Sequence, residues 1–285
     1  MQTDYSADDV AAARSLQVFA YIYLSITTLW TYDYACSLHE EWTFLLVSHW
    51  TKVKYLYVVT RYVPFLLLAT NLYLSFTPNE TPGTCRVLDN ICSGLGILSA
   101  VCSEGFFVLR TYALWNNNRI LLAVMLSTIF TFVIASIGIS FATTAPAPFA
   151  ISTIPGITGC YQSSSSLRLF IPFLLLSAFE LGLLTLTLVR AIQTWRINTS
   201  RLYIVLLKHN MFYYTCGLLF SVANIFTSLL LHYAYHAILH DFQFIILAIL
   251  ATRMHRHLWQ RKRRTHGSDA LMHIPMSDMS PADTA

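Results

Sequence analysis

Four ionisable side chains, Asp33, Arg61, Glu104 and Glu180, stand inside long apolar stretches of the chain. A charge in hydrocarbon costs about 2.5–3.5 kcal/mol on insertion scales, so such groups face the interior of a helix bundle and find partners there. At 1.5 Å of rise per residue, Arg61 comes to about 10 Å from the inner end of its segment, Asp33 to about 6 Å and Glu104 to about 10–12 Å. Either carboxylate can therefore meet the guanidinium. Asp33 is favoured because its segment is joined to that of Arg61 by a short loop, whereas Glu104 matches Arg61 better in depth. Glu180 stands near mid-membrane with no basic residue at its own depth, which makes it a candidate to carry a proton. The competing reading is that this network only locks helices together.

Two further constellations bear on chemistry. Cys85 and Cys160 fall in connections expected on the oxidising side of the membrane, where a bridge would tie the start of the third helix to the longest loop. The alternative is a pair of unpaired loop thiols. Cys36, Cys92, Cys102 and Cys216 fall within or at the inner ends of helices and are expected reduced. His232, His236 and His240 recur every four residues beside Asp241, a spacing that can bind zinc on a continuous helix. A helix boundary is expected to interrupt the run, so interfacial histidines without metal are the favoured reading.

Several classes fall away. The four lysines are Lys52, Lys54, Lys208 and Lys262, so the last helix offers none for a retinal Schiff base. Phosphate-binding glycine loops and the Gly-x-Ser-x-Gly elbow are absent from the sequence. No enzyme and no cofactor is expected.

The elements that must position these residues follow from composition. Of 285 residues, 55% are hydrophobic and 11% charged, with a mean hydropathy of +0.54. Soluble domains carry about 25% charged residues. A globule of this length must still coat itself with polar surface, and lipid is the solvent that removes that requirement. Seven segments reach the roughly 20 apolar residues that a bilayer core demands. They lie near 16–36, 54–76, 88–113, 119–142, 169–190, 203–231 and 236–254. The fold class read from this pattern is all-α, a seven-helix transmembrane bundle.

Orientation follows from the flanking cations. With the N-terminus outside, fourteen of the 18 Lys and Arg residues fall on the inner side and three, Arg14, Arg86 and Arg168, on the outer. An odd helix count then places the acidic N-terminus and the basic tail on opposite faces. The chain divides into a short outer tail at 1–15, a membrane domain at 16–255 and a tail at 256–285 that is basic at first and then disordered. Arg253, Arg256, Arg261, Lys262, Arg263 and Arg264 suit an anionic cytosolic leaflet. Without an aromatic-basic module they do not suggest nucleic acid. Asn79, in Asn79-Glu80-Thr81, is a glycosylation candidate on the outer face, whereas Asn198-Thr199-Ser200 falls inside.

A resemblance joins these observations. Tyr32-Asp33-Tyr34, Glu41, Trp50, Lys54, Arg61-Tyr62 and Pro64 resemble a fungal family of uncharacterised seven-helix membrane proteins, defined by an N-terminal domain of unknown function. Leu109 to Trp115, containing Arg110 and Tyr112, is similar to that family's Arg-x-Tyr-Ala-Leu stretch, and Gly159-Cys160 also fits. The resemblance spans most of 16–255, with Leu46 departing from the tryptophan common there. It implies an architecture and no activity. Arg110-Thr111-Tyr112 is similar to the Asp-Arg-Tyr triplet of G-protein-coupled receptors, but Leu109 stands in place of the acid and the last helix lacks Asn-Pro-x-x-Tyr.

The expected function is a receptor-like sensor in the plasma membrane. Its partners would be the bilayer, a small-molecule ligand and a cytosolic signalling protein. A small-solute or proton-coupled transporter is the alternative, motivated by the intramembrane charges.

Overall fold

The computed structural model describes residues 7–47, 50–77, 81–144, 149–151, 160–162, 171–197, 201–230 and 233–272. Seven helices follow one another: α1 (Ala7–Val47), α2 (Lys52–Phe76), α3 (Pro82–Leu114), α4 (Arg119–Thr144), α5 (Ile171–Ile197), α6 (Arg201–Leu230) and α7 (Tyr233–Met272). Two three-residue strands, β1 (Phe149–Ile151) and β2 (Cys160–Gln162), pair antiparallel between α4 and α5 with Ile151 opposite Cys160.

Local chemistry accounts for the helix ends. Thr51 caps α2 by accepting from the Lys54 amide, and Thr81 caps α3 with Pro82 in its first turn, where the missing amide is no loss. The tight α3–α4 turn places Asn116 and Asn117 at φ of 53° and 57°. Asparagine is among the few side chains that tolerate this left-handed region. Asn118 then caps α4 through its side-chain oxygen, which accepts from the Ile120 and Leu121 amides.

The helices close into a ring in which each packs on its sequence neighbours and α7 returns to α1. α3 and α7 cross the middle, since α3 also meets α5 and α7, and α7 also meets α2. The main core runs from Phe44 and Tyr57 through Phe106, Phe107 and Val108 to Phe179, Leu183, Leu247 and Met254. Close approach of α3 to α7 depends on Gly96, where a Cβ would stand 2.7 Å from the Phe244 ring. Outside the ring the surface is greasy. Ile120, Val124, Phe130, Ile134, Leu181, Leu219 and Phe226 are all exposed, as expected where acyl chains replace water.

Five helices, α2 through α6, are long and apolar enough to cross a membrane. α1 and α7 reach the length but are diluted by tyrosine, threonine, histidine and acid. Both still turn polar side chains inward, since Asp33, Ser37, Glu41, Gln243, Thr252 and Arg256 are buried.

Several boundaries depart from the sequence expectation. The first helix does not stop near residue 36 but runs to Val47: the next four-residue step after Asp33 and Ser37 brings Glu41 to its inward face, while His39 and Glu40 stay exposed on the same helix. Its C-terminal end therefore lies eleven residues later, and Asp33 sits about 21 Å from it, not 6 Å. At the other end of the chain, α7 continues through the basic cluster to Met272, so helix replaces the disorder expected from about residue 265 as far as residue 272. Arginine, lysine, glutamine and methionine are good helix formers, and a helix already nucleated extends through them at little cost. The third helix starts at Pro82, before its expected apolar limit at 88.

Candidate functional site

The four intramembrane residues do not form one network. They separate into an ionic knot where the C-terminal half of α1, the N-terminal half of α2 and the middle of α7 meet, and a carboxyl pair in the middle of the bundle.

The knot is organised by Arg61, which is 1% exposed. Its Nη1 donates to Asp33 Oδ2 at 2.8 Å, its Nε to Glu41 Oε2 at 3.1 Å and its Nη2 to Ser37 Oγ at 2.6 Å. Asp33, Ser37 and Glu41 are spaced by four, which stacks them on one face of α1. By helical rise Arg61 lies about 14 Å from the start of α2 and Glu41 about 9 Å from the end of α1, so the guanidinium reaches both acids. Trp30 and Tyr34 present ring faces 5.2 and 5.4 Å from its carbon, a favourable setting for a desolvated guanidinium. From α7, Arg253 donates to the other Asp33 oxygen through Nε at 2.9 Å and through Nη2. Arg256 donates to the Ser37 carbonyl at 3.3 Å and pairs with Glu40 at 3.4 Å. Three guanidinium groups thus meet three carboxylates. Near neutrality is what permits burial, since an unpaired charge here would cost several kcal/mol.

The pairing of Arg61 with Asp33 matches the favoured expectation, and Glu104 is not its partner. Glu41, Arg253 and Arg256 were not expected in the site. Glu41 lies beyond the expected end of the first helix near 36, and the two arginines belong to the basic cluster suited to an anionic leaflet. The four-residue spacing from Asp33 through Ser37 to Glu41 was the signal that could have found the first of them.

Glu104 on α3 and Glu180 on α5 are 1% and 3% exposed and face each other. Both oxygens of Glu104 and Oε1 of Glu180 lack a hydrogen-bond partner. Glu180 Oε2 accepts from Ser221 Oγ at 2.5 Å, and Ser221 in turn accepts from Gln243 Nε2. Gln243 Oε1 accepts from Asn224 Nδ2, which also reaches the Leu239 carbonyl at 3.3 Å. α6 covers Glu180 closely through Gly217, where a Cβ would stand 3.0 Å from Oε1. Next to the pair, Tyr214 donates to the Phe107 carbonyl and meets Thr111.

Arg110, singled out in the third helix, meets His255 of α7 at 3.0 Å, and Tyr112 packs against the core. Toward the N-terminal end of α7, Asp241 accepts from Tyr23 at 2.8 Å and Asn71 at 2.9 Å, joining α7 to α1 and α2. Cys85 is buried in the first turn of α3 and is not among the free cysteines, which are Cys36, Cys92, Cys102 and Cys216. The side chains of Cys160, His236 and His240 lie outside the described residues, as do Asn79, Asn198 and His232 altogether. Among the described residues no group of three or more His, Cys, Asp or Glu could hold a metal ion.

Comparison with known proteins adds one finding. Residues 21–66 match a family of unknown function, DUF6533. The match covers most of α1 and the first half of α2, including Asp33, Ser37, Glu41 and Arg61, and is narrower than the resemblance drawn over 16–255. No curated protein and no solved structure matches the chain.

Proposed function

We propose that this membrane protein is a receptor-like sensor of seven crossings, with its N-terminus outside and its basic tail in the cytosol. The observation that carries the reading is the knot. Through Arg253 and Arg256 the inner half of α7 is held to α1, and Arg61 brings α2 into the same cluster. A charge cluster joining three helices has discrete alternative pairings, and a ligand that binds one arrangement better shifts the population toward it. Arg110 and His255 extend the linkage to α3. The ligand would be a small molecule entering from the outer half of the bundle, and the partner a cytosolic signalling protein meeting the inner ends of α3 and α7. The plasma membrane is the site of residence that this reading favours. A Cys85–Cys160 bridge belongs to it as well, holding the outer loop over α3. Its support is the exclusion of Cys85 from the free thiols and the packing of β1 on α3.

The test is nucleotide exchange on heterotrimeric G proteins by the purified protein in lipid nanodiscs, against a panel of small molecules. At least one compound is expected to stimulate exchange, and Arg253→Ala is expected to raise the rate without ligand. Transport is the second reading, favoured by the facing Glu104 and Glu180. Proton-driven solute uptake into proteoliposomes, lost in Glu180→Gln, would replace the sensor with a transporter.

A further inference from the structure

The geometry points to a proton-binding site in the middle of the bundle, in which one proton sits on Glu104 and is shared with Glu180 as its acceptor. Hydrogen-bond direction carries the argument. The Leu239 carbonyl can only accept, so the atom of Asn224 facing it is the amide nitrogen. The same nitrogen faces Gln243, which must turn its oxygen toward α6 and its own nitrogen toward Ser221. Ser221 thus accepts from Gln243, and its single hydroxyl proton goes to Glu180 Oε2. Each donor and acceptor of this chain is fixed by the one before it.

Glu180 is therefore an acceptor at Oε2, and its second oxygen is the free one facing Glu104. Glu104 has both oxygens buried and unpartnered. Two bare carboxylates cannot face each other without water or a cation between them. A proton on Glu104 removes one charge, turns an unsatisfied oxygen into a donor and gives Glu180 Oε1 its partner. The chain from Leu239 ends at Glu180, so the remaining negative charge rests where a donor already meets it.

Among the described residues no cation meets the pair. Tyr214 and Ser221 face the pair from α6, and Gln243 of α7 acts through Ser221. Among the described residues α2 and α4 bring no titratable group to either acid. Arg110, the next cation along α3, is turned to His255. This site does not depend on whether the protein signals or transports.

Infrared difference spectroscopy of the intact chain in nanodiscs tests it at neutral pH. Glu104→Gln is expected to lose one acid carbonyl band that shifts in deuterium oxide. Glu180→Gln is expected to keep that band at a displaced frequency, because an amide oxygen replaces the carboxylate acceptor. Ser221→Ala leaves both acids in place and is expected to shift the band by removing the donor to Glu180. The site is overturned if Glu104→Gln removes only carboxylate bands, if the band is lost in Glu180→Gln but kept in Glu104→Gln, or if Ser221→Ala leaves it unmoved. An acid band that appears only when sodium is withdrawn also overturns it, in favour of a bound metal cation.

Discussion

Arg61→Leu is expected to lower stability by about 3–5 kcal/mol, the range for stripping a buried charge cluster of one partner. In detergent this should be read as a large drop in thermal midpoint. The loss has two parts, since Asp33 and Glu41 each forfeit a donor and Glu41 Oε1 is already unpartnered. Asp33→Asn alone is expected to cost less, because Arg61 keeps Glu41 and Ser37. Combining Arg61→Leu with Asp33→Asn should recover part of the loss, and adding Glu41→Gln should recover more. Non-additivity of this sign is the signature of residues that share one network. Strictly additive losses would mean that α1 and α2 do not meet through these side chains.

The second large effect concerns the proposed bridge between α3 and the segment before α5. Cys85→Ser or Cys160→Ser is expected to remove about 2–4 kcal/mol, the typical contribution of a bridge that closes a long loop. Mass spectrometry of non-reduced digests should recover a peptide joining Cys85 to Cys160. Full alkylation of both thiols without reductant would exclude the bridge, and the hairpin of β1 and β2 would then rest on backbone pairing alone.

What could be read from the sequence depended on how local the signal was. Helix number came from apolar runs about 20 residues long, a property of each segment by itself. Even so, the tyrosines and threonines of α1 and the acids and histidines of α7 blurred both helices, and their ends were misplaced by up to 18 residues. The link between Arg61 and Asp33 was legible because a short loop makes α1 and α2 neighbours. Glu41 was missed for the same reason that the end of α1 was missed. A carboxylate next to Glu40 and His39 reads as loop until its four-residue spacing to Asp33 and Ser37 is noticed.

Arg253 and Asp33 are 220 positions apart, and nothing local to either announces the other. Only the return of α7 to α1 brings them together. The facing of Glu104 and Glu180 has the same origin. Each was recognised as a costly intramembrane acid, but their pairing depends on α3 crossing the ring to reach α5. Direction in the Asn224–Gln243–Ser221 chain is more remote still, since it depends on which amide atom meets a backbone carbonyl.

Seven crossings with an outward N-terminus are tested most directly by tagging both ends of the full chain. A tag at residue 2 should bind antibody on intact cells, and a tag after Ala285 should bind only once the cells are permeabilised. That result would put the basic stretch at the end of α7 on the cytosolic side, where a signalling partner could reach it. Detection of both tags on the same side of the membrane would contradict an odd number of crossings, and with it the receptor-like reading.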